Sequence, residues 1–260
     1  MLIAVNGIDT YVATGGKRFD PALPAMVFLH GAGMDHSVWA LLARAFAHHR
    51  HSVLAPDLPG HGRSAGTPLS SIAALADWTA ALIDAAGADK ARIIGHSMGS
   101  LVALETASRH PAKVSAIGLI ATAAPLRVSD DLLNAANAND RAAIDMISIW
   151  GEGYRATLGG SLAPGLWMLG GAERLLERAG PGVIFADLSA CNGYQDALAA
   201  ATRVGVPSIV IQGSRDMMTP AKGGKLVAAA IPGCRLAIIE GAGHMLMSER
   251  PEEVLAALRS

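Results

Sequence analysis

A mostly parallel α/β sheet is the fold class this sequence predicts, and two observations predict it. Short apolar, β-branched runs alternate with longer segments of helical periodicity, the pattern of parallel strands joined by crossover helices. Hydrophobic residues make up 51% of the chain, which suits a sheet buried on both faces. With 260 residues, the chain has the length of one such domain with a sizeable core.

Taken in order, the first residues predict a hairpin turning at Asn6-Gly7, a dipeptide suited to the positive φ of a two-residue turn. Lacking a basic n-region and a long apolar stretch, this start reads as a first strand and not as a leader or membrane anchor. Ala25-Met26-Val27-Phe28-Leu29 reads as a strand, about Ser37 through Ala47 as a helix, and Ser52-Val53-Leu54-Ala55 as a strand. A second helix is expected from about Ser71 to Ala86, stopped by Gly87. Arg92-Ile93-Ile94 and the helix after Ser97 follow, then a sixth strand from Val114 to Ala121. Pro207 to Gln212 and Leu236 to Ile239 are the remaining strands. Residues 125–198 break the alternation: they are mostly helical in pattern, interrupted by glycines at 151, 153, 159 and 160. A structureless loop of that length is improbable in a compact domain, so the segment reads as a folded insertion.

Ligands of such sheets sit beyond the carboxyl ends of the strands, and the chemistry-bearing residues fall there. Gly95-His96-Ser97-Met98-Gly99 joins a strand to a helix. A serine in that turn has its hydroxyl thrust clear of the backbone, and the glycines leave room for the bend. The helix start also points free amides, that of Met98 first, at the place where an oxyanion would form. A hydroxyl needs a base and the base needs an orienting acid. His244, on the glycine-rich loop Glu240-Gly241-Ala242-Gly243-His244, is the base expected. Asp216, in Gly213-Ser214-Arg215-Asp216 ahead of a helix start at Thr219-Pro220, is the acid.

In the order serine, aspartate, histidine, these motifs make the chain similar to the α/β-hydrolase fold superfamily of serine hydrolases. His30-Gly31-Ala32-Gly33 resembles that family's oxyanion loop and Asp57-Leu58-Pro59-Gly60-His61-Gly62-Arg63-Ser64 its D-x-x-G-x-G-x-S turn. The resemblance implies an eight-stranded sheet flanked by helices. It implies core residues 1–124 and 199–260, with a helical cap, 125–198, inserted after the sixth strand over the site. It gives the second oxyanion donor as the amide of Ala32, and makes Asp57 a loop-closing residue, though Asp57 is the other carboxylate that could serve as the acid. Some relatives carry the acid after the sixth strand, where Ala121-Thr122-Ala123-Ala124 has none. His30 and His61 are expected to hydrogen-bond the motif loops together, and His96 either to pack or to line the entrance.

The implied activity is cleavage of small carboxylic esters through an acyl-enzyme, without a cofactor or metal. An enol-lactonase or a carbon–carbon bond hydrolase could use the same triad, although the latter commonly show Gly-Asn-Ser at Gly95-His96-Ser97. A receptor-like binding protein is the reading from another class. Methionines flank the motifs, and Met34, Met245, Trp150 and Trp167 are expected to line an apolar substrate pocket. Formal net charge is −1 and aromatics are 4%, so neither nucleic acid nor an anionic membrane is an expected partner. Cys191 and Cys234 are too few for a disulfide framework. A cytoplasmic monomer or homodimer is the expectation.

Overall fold

In the computed structural model, which describes residues 1–158 and 167–260, the hairpin forms as its turn dipeptide requires. Asn6 and Gly7 take φ of 51° and 80° and join β1 (Leu2–Val5) to β2 (Ile8–Ala13), with Val5 opposite Ile8. The other strands are β3 (Ala25–Leu29), β4 (Ser52–Pro56), β5 (Ala91–His96), β6 (Val114–Ile120), β7 (Ser208–Gly213) and β8 (Arg235–Ile239). They form one sheet in the order β1-β2-β4-β3-β5-β6-β7-β8. β1, β2 and β4 pair antiparallel and every later pairing is parallel. β3, β4 and β7 are buried along their whole length, which is why they read as continuous apolar runs without alternation.

Around the sheet lie α1 (Ala40–Ala47), α2 (Ile72–Ala85), α3 (Met98–Arg109), α10 (Ala221–Ala230), α11 (Leu246–Glu249) and α12 (Pro251–Arg259), and between β6 and β7 the chain forms α4 (Asp130–Asn137), α5 (Arg141–Gly151), α6 (Tyr154–Thr157), α7 (Met168–Leu176), α8 (Val183–Gly193) and α9 (Ala197–Thr202). The expected helix over 37–47 is split: Asp35 accepts from the Ser37 amide and starts a 3-10 turn, His36–Trp39, before α1. Ser71 caps α2 by accepting from Ala74, and Gly87 at φ 76° ends it.

The core has two parts, one on each face of the sheet. One gathers Leu101 and Leu104 of α3, Leu75 and Leu82 of α2, and Ala197, Ala200 and Ala201 of α9. The other gathers Trp39, Phe28 and Phe46 with residues of the insertion, among them Leu132, Ile147, Leu176 and Leu188. α9 therefore spans the expected boundary at residue 198 and packs with the sheet-side helices. Of the glycines expected to interrupt the insertion, Gly159 and Gly160 lie outside the described residues. No helix among the described residues is long and apolar enough to cross a membrane.

β4 and β5 lie on opposite sides of β3, so the chain leaves β3 one way and returns the other. Loops diverge at such a switch point and open a crevice beyond the strand ends. The opening of α3 is pressed into that place. A Cβ on Gly99 would overlap the carbonyls of Leu29 and His30, and one on Gly95 would overlap the backbone of Gly99. Backbone obstacles cannot rotate away as a side chain can. We therefore expect Gly95→Ala to destabilise the protein by about 3 kcal/mol or to prevent folding, against less than about 1 kcal/mol for Gly87→Asn at the open end of α2, where a Cβ would meet nothing beyond its chain neighbours within 4 Å. Urea unfolding of the two variants measures the difference.

Candidate active site

Ser97 sits between β5 and α3 at φ 52° and ψ −117°, a conformation that costs a non-glycine residue about 1–3 kcal/mol. Its amide donates to the Ile120 carbonyl of β6 at 2.9 Å, and the Ser100 amide donates to its carbonyl at 2.9 Å, so both sides of the strained residue are tied. Gly31, just past β3, faces it: a Cβ there would lie 3.3 Å from Ser97 Cβ. The loop His30 to Gly33 is thereby seated against the serine.

Asp216 and His244 are brought together from the ends of β7 and β8. His244 Nδ1 donates to Asp216 Oδ2 at 2.9 Å. The same oxygen accepts the Thr219 hydroxyl at 2.6 Å, while Oδ1 accepts the amides of Met218 at 2.9 Å and Thr219 at 2.7 Å. Burial pushes the Asp216 carboxyl upward, but the charge of His244 and the hydrogen bonds from His244 and Thr219 outweigh it and hold it below the ordinary carboxylate value. With Nδ1 donating, Nε2 of neutral His244 is the nitrogen left to accept a proton. The histidine's own loop is held by the insertion, because Gly151 at the end of α5 accepts from the amides of His244 and Met245 at 2.9 and 3.0 Å. Gly213 lets β7 approach it, since a Cβ there would overlap the carbonyls of Ala242 and Gly243.

Three further histidines surround this arrangement in fixed neutral or charged forms. His96 Nε2 donates to the His244 carbonyl at 3.0 Å and its ring packs 4.7 Å from the His244 ring. Burial, then the neighbouring His244, lowers its pKa to about 3. Of the two places expected for His96, the structure has the packed one: it is wholly buried against His244 and does not line an entrance. His30 accepts from the Leu58 amide at Nε2, 3.1 Å, and donates from Nδ1 to Gly31 at 2.9 Å, which ties the two motif loops. Its pKa is lowered to about 4, chiefly by burial. His61 contacts Asp187 of α8. Asp57 accepts from the His36 amide and ring and from the Arg63 amide. Although Asp35, His36 and Asp57 lie close enough to share an ion, those donors already occupy both Asp57 oxygens, which marks a loop closure.

One cavity of about 170 Å³ opens onto Ser97 and His244, lined also by Ala32, Met34, Trp150 and Met218. Neither the Ala32 nor the Met98 amide donates to a protein acceptor among the described residues, as amides reserved for a ligand oxygen would not. Met245 and Trp167, expected in the same wall, line a separate depression with Glu152 and Met168. The amide of Met245 is held by the Gly151 carbonyl, its side chain is buried, and Trp167 is 64% exposed. Leu126, Leu132, Ile147, Leu188 and Cys191 line the Ser97 cavity without any motif having announced them; only their helical periodicity was visible. Thr219 was legible as a helix start and not as a partner of Asp216.

A sequence model described as the alpha/beta hydrolase fold matches residues 24–251. A pimeloyl-[acyl-carrier protein] methyl ester esterase of Chromobacterium violaceum is 33% identical over 245 residues, covering 90% of this chain and 92% of that protein. One of Neisseria meningitidis is 32% identical over 256 residues, covering 94% of each. Among solved structures, the enol-lactonase from Burkholderia xenovorans superposes with a TM-score of 0.87 at 22% identity, over 100% of this chain and 98% of that one, a likeness of fold.

Because Asp216 is held below 3.8, its stabilising contribution is complete above that pH and is lost as pH falls through the lower folded value. Thr219→Val removes the hydroxyl that donates to it. We expect a loss of about 1–3 kcal/mol at pH 7, with the gap to the wild type narrowing as pH falls below the ordinary carboxylate range and Asp216 protonates in both proteins; urea unfolding at several pH values checks it.

Proposed function

The chain belongs to the alpha/beta hydrolase fold family and is a carboxylic ester hydrolase, and from that premise we propose that it cleaves small esters with Ser97, His244 and Asp216 as its triad. The observation that carries this reading is the buried Asp216 carboxylate on His244 Nδ1, with His244 and the strained Ser97 opening onto one cavity. His244 Nε2 takes the proton as Ser97 Oγ attacks the ester carbonyl, and Asp216 holds the tautomer and offsets the imidazolium charge. The carbonyl electron pair moves to oxygen, where the amides of Ala32 and Met98 would receive it; loss of one such donor typically costs about 3 kcal/mol. His244 then protonates the leaving alcohol, and a water activated by the same imidazole splits the acyl-enzyme and restores Ser97.

Residues 125–198 act as the cap in this reading, with Leu132, Ile147, Trp150 and Leu188 forming the apolar wall opposite Ser97. The named relatives act on an ester carried by a protein. Among the described residues of this insertion, Arg141 pairs with Asp145 and Glu173, Arg174 with Glu177, and Arg178 with Asp35 of the core, whereas the exposed Arg127 lines the mouth of the Ser97 cavity. The cavity of about 170 Å³ with its apolar wall supports a small acyl group as the substrate class.

A fluorophosphonate is expected to label the wild type at Ser97 and to leave Ser97→Ala unlabelled, with intact-mass spectrometry as the readout. Equal labelling of both proteins would remove Ser97 from the site. His30 and His96 stay neutral above about pH 5, given their values of about 4 and 3. The kcat/KM profile should therefore show no acid limb from His30 or His96 above about pH 5.

Across 4-nitrophenyl esters, kcat/KM should rise by up to about 0.8 kcal/mol of transition-state stabilisation per added methylene while space remains. It should then fall at medium acyl length as the chain meets the cap. Trp150→Ala should move the cutoff to longer chains, whereas Trp167→Ala, outside the Ser97 cavity, should leave it unchanged. A panel with lactones, a carbon–carbon diketone and a carrier-linked methyl ester distinguishes the other substrates, and single-turnover behaviour on every member would point to a binding protein.

A further inference from the structure

Asp187 is remote in sequence from every motif, yet its carboxylate lies at the foot of the loop that faces Ser97. It is carried by α8 within the insertion and is 1% exposed. One oxygen, Oδ2, accepts both the Gly33 amide at 2.8 Å and His61 Nε2 at 2.7 Å. The other nitrogen of that ring, Nδ1, faces the Pro59 carbonyl at 3.0 Å. An acceptor at each nitrogen requires a proton on each, so His61 is an imidazolium. Its neighbour His30, with ring centroid 5.0 Å away, takes the opposite form, because the Leu58 amide donates to its Nε2. Burial by itself draws the His61 pKa down, but the Asp187 charge and hydrogen bond, with the Pro59 carbonyl, more than reverse it.

A buried imidazolium without a carboxylate would be costly, so the D-x-x-G-x-G turn depends on a partner from the insertion. The same carboxylate fixes Gly33, at φ 68°, which is the residue after Ala32. We propose that Asp187 is a positioning residue: through Gly33 and the imidazolium of His61 it holds the turn at residues 30–33, so that the Ala32 amide faces the ester oxygen only when α8 is docked. The insertion then contributes to transition-state binding as well as to enclosure. This rests on Ser97 being the nucleophile.

Asp187→Asn keeps the shape of the side chain and removes its charge, which leaves His61 without a counterion and makes the neutral ring the favoured form. Because the oxyanion amides serve the tetrahedral oxygen more than the ground-state carbonyl, kcat should fall by about 10- to 100-fold while KM stays within about threefold. The fluorophosphonate rate should fall with kcat. Val183→Ala, in the same helix and also buried, should lower Tm without that loss of kcat. In the unsubstituted protein, nitrogen-15 NMR of the imidazoles at about pH 7.5 should identify His61 as doubly protonated and His30 as neutral. A neutral His61 in that spectrum overturns the proposal even if the asparagine variant fails to fold. So does a folded Asp187→Asn enzyme with wild-type kcat, or a kcat loss in Val183→Ala that matches it at equal change in Tm. Failure of the underlying assignment has a separate signature, the absence of phosphonate on Ser97 in the wild type.

Discussion

Backbone segments from β3, β5 and α3 meet at the switch point of the sheet with no space for side chains between them, and the rest of the site depends on that closeness. Gly95 and Gly99 permit α3 to begin against the end of β3. The start of the helix then forces Ser97 into a left-handed backbone conformation, held by the Ile120 carbonyl of the next strand. With Gly31 also pressed against Ser97, the distance between the serine and the facing loop is set by backbone packing, which is far stiffer than any side-chain rotamer. The same device recurs at Gly213, where β7 passes the loop that carries His244. Strain of this kind persists because the surrounding sheet over-determines it.

Buried charge is the second organising force, and it is handled by pairing. Asp216 is satisfied by His244 and by Thr219, Asp57 by His36 and Arg63, and Asp187 by His61 and Gly33. The pairs Asp216–His244, Asp57–His36 and Asp187–His61 join segments 28, 21 and 126 residues apart, so each of them also specifies how two loops meet. Glu152 is the exception. Among the described residues its Oε2 is buried without a partner, and burial, then the nearby Glu249, raises its pKa to about 8. Glu249 accepts the Gly243 and Gly153 amides beside it, which fastens the His244 loop to the end of α5 from a second side.

These ties give the insertion a part in the chemistry proposed for the core. Gly151 holds the His244 loop, Asp187 holds the 30–33 loop, and Ile147, Trp150 and Leu188 form cavity wall. Apolar side chains of α4, α5 and α8 thus shape the cavity, while the strand ends carry the groups of the proposed triad.

The order of strands and helices was legible because each element carries its own local signal. Asn6-Gly7 makes a turn wherever it stands, Ser71 caps a helix, and an all-apolar run such as Ala25 to Leu29 must be buried on both faces. Ser97, Asp216 and His244 were nameable for the same reason, each lying in a short motif at the end of a strand. What the tertiary structure alone decided is which remote groups complete them. Nothing near Gly151 in sequence says that its carbonyl meets the His244 amide, nothing near Asp187 says that it meets His61, 126 residues away, and periodicity could not tell that Trp150 faces Ser97 while Met245 and Trp167 turn to another depression. Local rules act over a few residues, whereas partners across a buried interface are chosen by how whole helices dock, and that depends on the packing of every side chain between them.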